Sequence, residues 1–170
     1  GDRTAYANFL QSGGRMFVMG ENDSFMTRNN SVIQFVSDVG GGALTFVTPG
    51  DAQDVAGVPF TNGGLTTIAY NAAGGVTAPG TGTFATSNLT GGTAVAWQTG
   101  TLASAAAGAL TVVFDVNFMQ PSASANEHQF FQNLCTFVAV GGGSAAAVPA
   151  DAPWALLSLS SALGILGGVW

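Results

Sequence analysis

Apolar positions along the first third of the chain switch between two periods. In residues 4–11 (TAYANFLQ), Tyr6, Phe9 and Leu10 fall at i, i+3 and i+4, the spacing of one helix face. Thr4 stands where it can cap the first turn, and Gly13-Gly14 where a helix ends on a glycine. Arg15 to Met19 (RMFVM) is a short apolar run of the buried-strand type. After the turn Gly20-Glu21-Asn22-Asp23, residues 27–39 return to helical period, with Val32, Ile33, Phe35, Val36 and Val39 on one face. Gly40-Gly41-Gly42 stops that helix, and residues 44–48 (LTFVT) read as a strand. Helix, strand, helix, strand with tight glycine joints predicts an α/β architecture with a parallel sheet.

From Pro49 onward the pattern shortens. Thr- and Val-rich pieces at 65–70, 82–86 and 93–98 alternate with glycine turns and read as strands, whereas Asp51 and Asp54 read as loop acids. Residues 110–114 (LTVVF) form a strong buried strand, from whose C-terminal end Asp115-Val116-Asn117-Phe118 continues. The clearest helix spans 124–140. Ser124 and Glu127 make an S-x-x-E capping box, and Phe130, Phe131, Leu134, Phe137 and Val138 line its inner face.

The final stretch differs again. From Trp154 to Trp170 there is no charged residue. As a helix it would be about 25 Å long, at the short edge of what spans a bilayer core. Leu156, Leu157, Leu159, Leu163, Ile165 and Leu166 give apolar surface all round; Trp154 and Trp170 bracket the run as interfacial aromatics do. Gly164 and Gly168 have the spacing that lets membrane helices approach closely. The alternative is a buried C-terminal helix of a soluble domain. The Gly/Ser/Ala linker at 141–147 argues against it, because it isolates the segment from what precedes it. The expected organisation is a domain at 1–140, the linker at 141–147 and a transmembrane anchor at 148–170.

Charge narrows the function. Only 7% of residues are charged, with three Arg, no Lys and nine acids for a net charge of −6. Nucleic acid is excluded as a partner, since phosphate recognition needs clustered cations. The small, polar, lysine-free composition suits an exported surface protein. A single cysteine, Cys135, excludes an internal disulfide and a cysteine zinc site. Gly1-Asp2-Arg3 opens directly in folded-type sequence, so further residues, a leader among them, are expected before it.

Two resemblances add to this. The segments FLQSGGRMFVMGEN (9–22) and RNNSVIQFVSDVGG (28–41), with LTVVFDVNF (110–118) and the final helix EHQFFQNLCTFVAV, resemble the class I glutamine amidotransferase-like superfamily. The resemblance implies a flavodoxin-like layered sheet with helices on both faces, incomplete at its N-terminus. It also implies a cysteine nucleophile in the strand-to-helix turn, backed by His and Glu. Here that turn is Gly20-Glu21-Asn22-Asp23, without a cysteine. Cys135 reads as a small core hydrophobe within a helix, and His128 as a surface or capping residue. Val148-Pro149 and the apolar segment after it resemble the bacterial PEP-CTERM type of C-terminal sorting signal, although the terminal Arg cluster is missing. This resemblance implies export and anchoring.

The remaining chemistry lies in acids. Glu21, Asp23 and Asp115 sit just past the C-terminal ends of expected strands, where α/β sheets place their ligand crevice. Together they are the candidates for holding Ca²⁺ or Mg²⁺. The structural alternative is that they accept hydrogen bonds within the turns, with Arg28 pairing across to Glu21 or Asp23. No catalytic residue and no cofactor is assigned. The favoured reading is a membrane-anchored, exported, non-catalytic protein, structural or interactive, with the lipid bilayer and other protein subunits as partners. It places the domain on the periplasmic or extracellular side. A self-assembling extracellular filament or layer subunit is a second reading, and a carboxylate- or metal-dependent hydrolase of the same fold is a third.

Overall fold

A computed structural model of the chain describes residues 2–139. The linker at 141–147 and the segment at 148–170, with the anchor expected there, lie outside the described residues. The elements in chain order are α1 (Asp2–Gln11), β1 (Arg15–Met19), α2 (Met26–Asp38), β2 (Phe46–Val47), β3 (Ala52–Val55), β4 (Thr67–Ala69), β5 (Gly75–Val76), β6 (Thr83–Ser87), β7 (Ala94–Trp97), β8 (Ala109–Val113) and α3 (Ala125–Ala139).

The main sheet has six strands in the order β1-β8-β7-β6-β3-β4. Only β1 and β8 run parallel, in the register Arg15↔Ala109 to Met19↔Val113. The other four pairings are antiparallel, which corrects the expectation of a parallel sheet. The reason lies in the connections. A parallel neighbour needs a crossover of a dozen or more residues, usually a helix, whereas short glycine loops such as the one joining β6 to β7 can only return the chain antiparallel. The expected strand at 44–48 shrinks to Phe46–Val47 and leaves the main sheet, pairing with β5 in a separate two-stranded ribbon. The expected N-cap Thr4 lies inside α1, which already begins at Asp2.

Helices cover both faces, and β7 and β8 divide their side chains between them. Val95, Trp97, Leu110, Val112 and Phe114 face α1 and α2, packing with Leu10, Val32, Phe35 and Val36. The Trp97 indole donates to the Gly41 carbonyl at 3.0 Å, fixing the loop after α2. That loop approaches Gly80 so closely that a Cβ on Gly80, whose φ is +60°, would strike Gly41 O. On the opposite face Ala85, Ala94, Ala96 and Ala109 present little volume, and Phe130, Leu134 and Phe137 of α3 fill it. Phe60 stacks on Phe137 at 5.4 Å, and Phe118 meets Phe130 edge-on at 5.9 Å.

The capping box at the start of α3 forms as the sequence predicts. Ser124 N–H donates to the Glu127 carboxylate at 2.6 Å, and Glu127 N–H to Ser124 Oγ at 3.3 Å. Phe131 and Val138 sit on the flank of the buried arc and stay partly exposed. Cys135 lies beyond that flank and is exposed, correcting its expected place in the core.

Candidate functional site

Because β1 and β8 are parallel neighbours, their chains leave the sheet side by side, and this brings Glu21 and Asp115 to one end of it. Both are buried, at 5% and 1% exposure. Glu21 Oε2 accepts the Val116 amide at 3.1 Å, across from one strand exit to the other. Asp115 takes two amides, Asn71 N–H on Oδ2 at 3.0 Å and Asn117 N–H on Oδ1 at 2.6 Å. Asn117 donates in turn to the Asn71 carbonyl at 3.0 Å. Each acid thus ties together backbone segments that carry no other ladder bonds there.

The turn leading into α2 is held by a residue the sequence pattern did not single out. Asn29 is fully buried in α2; its Oδ1 accepts from Glu21 N–H at 2.8 Å and its Nδ2 donates to Asn22 O at 2.9 Å. Its spacing carries the signal: Asn29 precedes Val32 by three and Val36 by seven, so it belongs to the buried stripe. Asn22 caps the 3-10 turn Asp23–Phe25 by accepting from Ser24 N–H at 3.0 Å.

Asp23 does not join the other two acids. It is exposed at the start of that turn. Arg28 lies over the Phe25 ring at 5.5 Å, and among the described residues the ion pair is Arg3 with Asp38 at 3.4 Å, so the expected pairing across the turn is replaced. Among the described residues no group of three or more His, Cys, Asp or Glu side chains is placed to hold a metal ion.

Burial raises the Asp115 carboxyl above its ordinary range, against the two amides that lower it; the charges of Glu21 and Glu127 add to the rise. Burial also pushes the Tyr70 hydroxyl far up, and it shares a 3.0 Å hydrogen bond with Thr86. His128 is exposed on α3, with Nε2 3.3 Å from the Gln120 carbonyl.

A cavity of about 560 Å³ opens at the far side of the sheet between β3, β4 and the start of α3. Its walls are mostly small or apolar, and Asp54 is its one carboxylate. A polar recess of about 150 Å³, sharing Ala69 with that cavity, is lined by Asn71, Asn117, Gln120, Ser122 and Glu127. At this end the Glu127 amide is capped by Ser124 Oγ, and the Glu127 carboxylate itself occupies the helix start by accepting the Ser124 amide, which disfavours a second anion there. The geometry makes Glu21 and Asp115 a carboxylate clamp on the backbone. No family model, no curated protein and no solved structure matches the chain.

Proposed function

We propose that this protein is an exported, membrane-anchored, non-catalytic protein whose α/β body serves a structural or interaction role in a membrane or cell-surface assembly, on the periplasmic or extracellular side. The observation that carries the reading is the uncharged run from Trp154 to Trp170, set behind a glycine-rich linker in a chain with three Arg and no Lys. The partial PEP-CTERM resemblance of 148–170 supports the same destination. The non-catalytic part is supported by the turn at 20–23, which lacks the cysteine that the amidotransferase-like resemblance calls for, and by the engagement of Glu21 and Asp115 with backbone amides.

Flotation with phospholipid vesicles tests the anchor. The full chain is expected in the lipid fraction, and a chain ending at 147, or one carrying Leu159→Lys and Leu163→Lys, in the soluble fraction. A full chain that stays in the soluble fraction as a monomer defeats the reading.

A further inference from the structure

The two edges of the main sheet are unlike. In β4 the groups turned away from β3 belong to Thr67 and Ala69, because Thr66 and Tyr70 make the ladder bonds, to Val55 and Asp51. The outward Thr67 carbonyl is already taken by Asn126 of α3 at 2.9 Å, so the helix start blunts that edge at Thr67. In β1 the ladder to β8 uses Gly14, Met16, Val18 and Gly20, the ends of it being Ala109 N–H on Gly14 O and Gly20 N–H on Val113 O. The N–H and C=O groups of Arg15, Phe17 and Met19 therefore point outward, and no described residue closes this edge.

Natural edges are blunted by Lys, Pro, bulges or an inward-pointing charge. β1 has none of these. Its one charge, Arg15, is folded back along the sheet: Nε donates to Phe137 O at 2.9 Å and the guanidinium lies over the Phe137 ring at 4.8 Å. All five strand residues are half-buried, and the α3 flank beside them is apolar, with Phe131 edge-on to Phe17 at 6.4 Å.

We propose that the β1 edge is the docking surface for a second copy of this chain, β1 against β1, antiparallel about Phe17. The strand is self-complementary in that register. Phe17 faces Phe17 of the second copy, Arg15 faces Met19, and Met16 faces Val18, so no like charges meet although each copy carries −6. Arg15, Phe17 and Met19 fall at the hydrogen-bonded positions, so every outward group of the edge gains a partner. The two-fold axis stands perpendicular to the sheet, which places both α3 helices on one face. Phe131, Cys135 and Val138, aligned at i, i+4 and i+7, turn toward the axis and extend the contact beyond the strands. Because β1 pairs with β1 about a two-fold axis, the contact closes on itself, and the Asn126 bond at Thr67 disfavours growth from the β4 edge. The inference rests on the strand edge alone and stands whether or not the tail enters a membrane.

Light scattering after size exclusion, on the full chain in mild detergent, with amide hydrogen exchange at two protein concentrations, tests it. The wild type is expected to be a dimer. Phe17→Pro, which removes an outward N–H and no internal bond, is expected to be a monomer with unchanged circular dichroism. The amides of Arg15, Phe17 and Met19 are expected to lose protection on dilution, while those of Met16 and Val18 keep it. If Phe17→Pro does not fold, the exchange pattern decides by itself. A monomeric wild type, a folded Phe17→Pro that still dimerises, an open-ended polymer, or protection that does not depend on concentration each overturns the proposal.

Discussion

Asp115 illustrates how a single carboxylate can set the pH response of a fold. Its folded-state pKa is raised, chiefly by burial, above the roughly 4 of an unfolded aspartate. The folded protein therefore holds this proton more tightly than the unfolded chain. The stabilisation it contributes is complete below about pH 4 and is lost as pH rises through the folded value. Replacement by Asn removes the titration and leaves one oxygen for two amides, Asn71 and Asn117. We expect Asp115→Asn to cost about 1–3 kcal/mol near pH 4, and that cost to narrow toward pH 7. Thermal melts of both proteins across this range would show it; a cost independent of pH would refute it. Glu21 and Asp115 were legible as acids at strand exits, because position relative to an apolar run can be read from sequence. Their amide partners were not, since Asn71 and Val116 come from loops whose path only the sheet order defines.

At the scale of elements, α3 is the most completely encoded. Its capping box, its start and its Phe130-Leu134-Phe137 ridge all follow from spacing. Ser124→Ala is expected to lower stability by about 0.5–2 kcal/mol, and Ser124→Asp to restore most of it, as measured by urea unfolding. Cys135 falls outside the buried arc because that arc is centred on Phe130, Leu134 and Phe137, with Phe131 already at its margin. The strand β3 escaped notice for a different reason. Its alternation is real, with Gln53 and Val55 inward and Ala52 and Asp54 outward, but the inward Gln53 is polar. It is buried because its amide is bonded to Thr93 on both sides, donating to Oγ1 at 2.6 Å and accepting from N–H at 3.0 Å. Hydrophobic patterning has no means of registering such a residue. Conversely, residues 44–48 have strand composition but little strand, because their partner is the two-residue β5, extended only by the Thr77 N–H bond to Thr45 O at 3.0 Å.

For the whole molecule, the two cores are expected to unfold as one cooperative unit. β7 and β8 send alternate side chains to opposite faces, so neither face can lose its packing without disturbing the other. Phe130→Ala, in the α3 core, is expected to cost about 3–5 kcal/mol. The fluorescence of Trp97, in the opposite core, should report the same lowered midpoint as far-UV circular dichroism. Replacing Trp154 and Trp170 by Phe isolates that signal; separate midpoints would mean that the faces unfold independently. The α/β class could be read from the alternation of helix and strand in the first 48 residues, whereas the helix that covers the second face, α3, comes only at 125–139. The direction of the strands could not, because it depends on which loops are too short to cross the sheet.

The parallel pair has a consequence for how the chain is made. The first strand finds its neighbour only in the last, Arg15 beside Ala109. A ribosome or an export channel delivers the N-terminus first. β1 must then wait, unpaired on that side, until nearly the whole body has emerged. Such a polypeptide acquires its final shape late, once β8 is free to pair with β1.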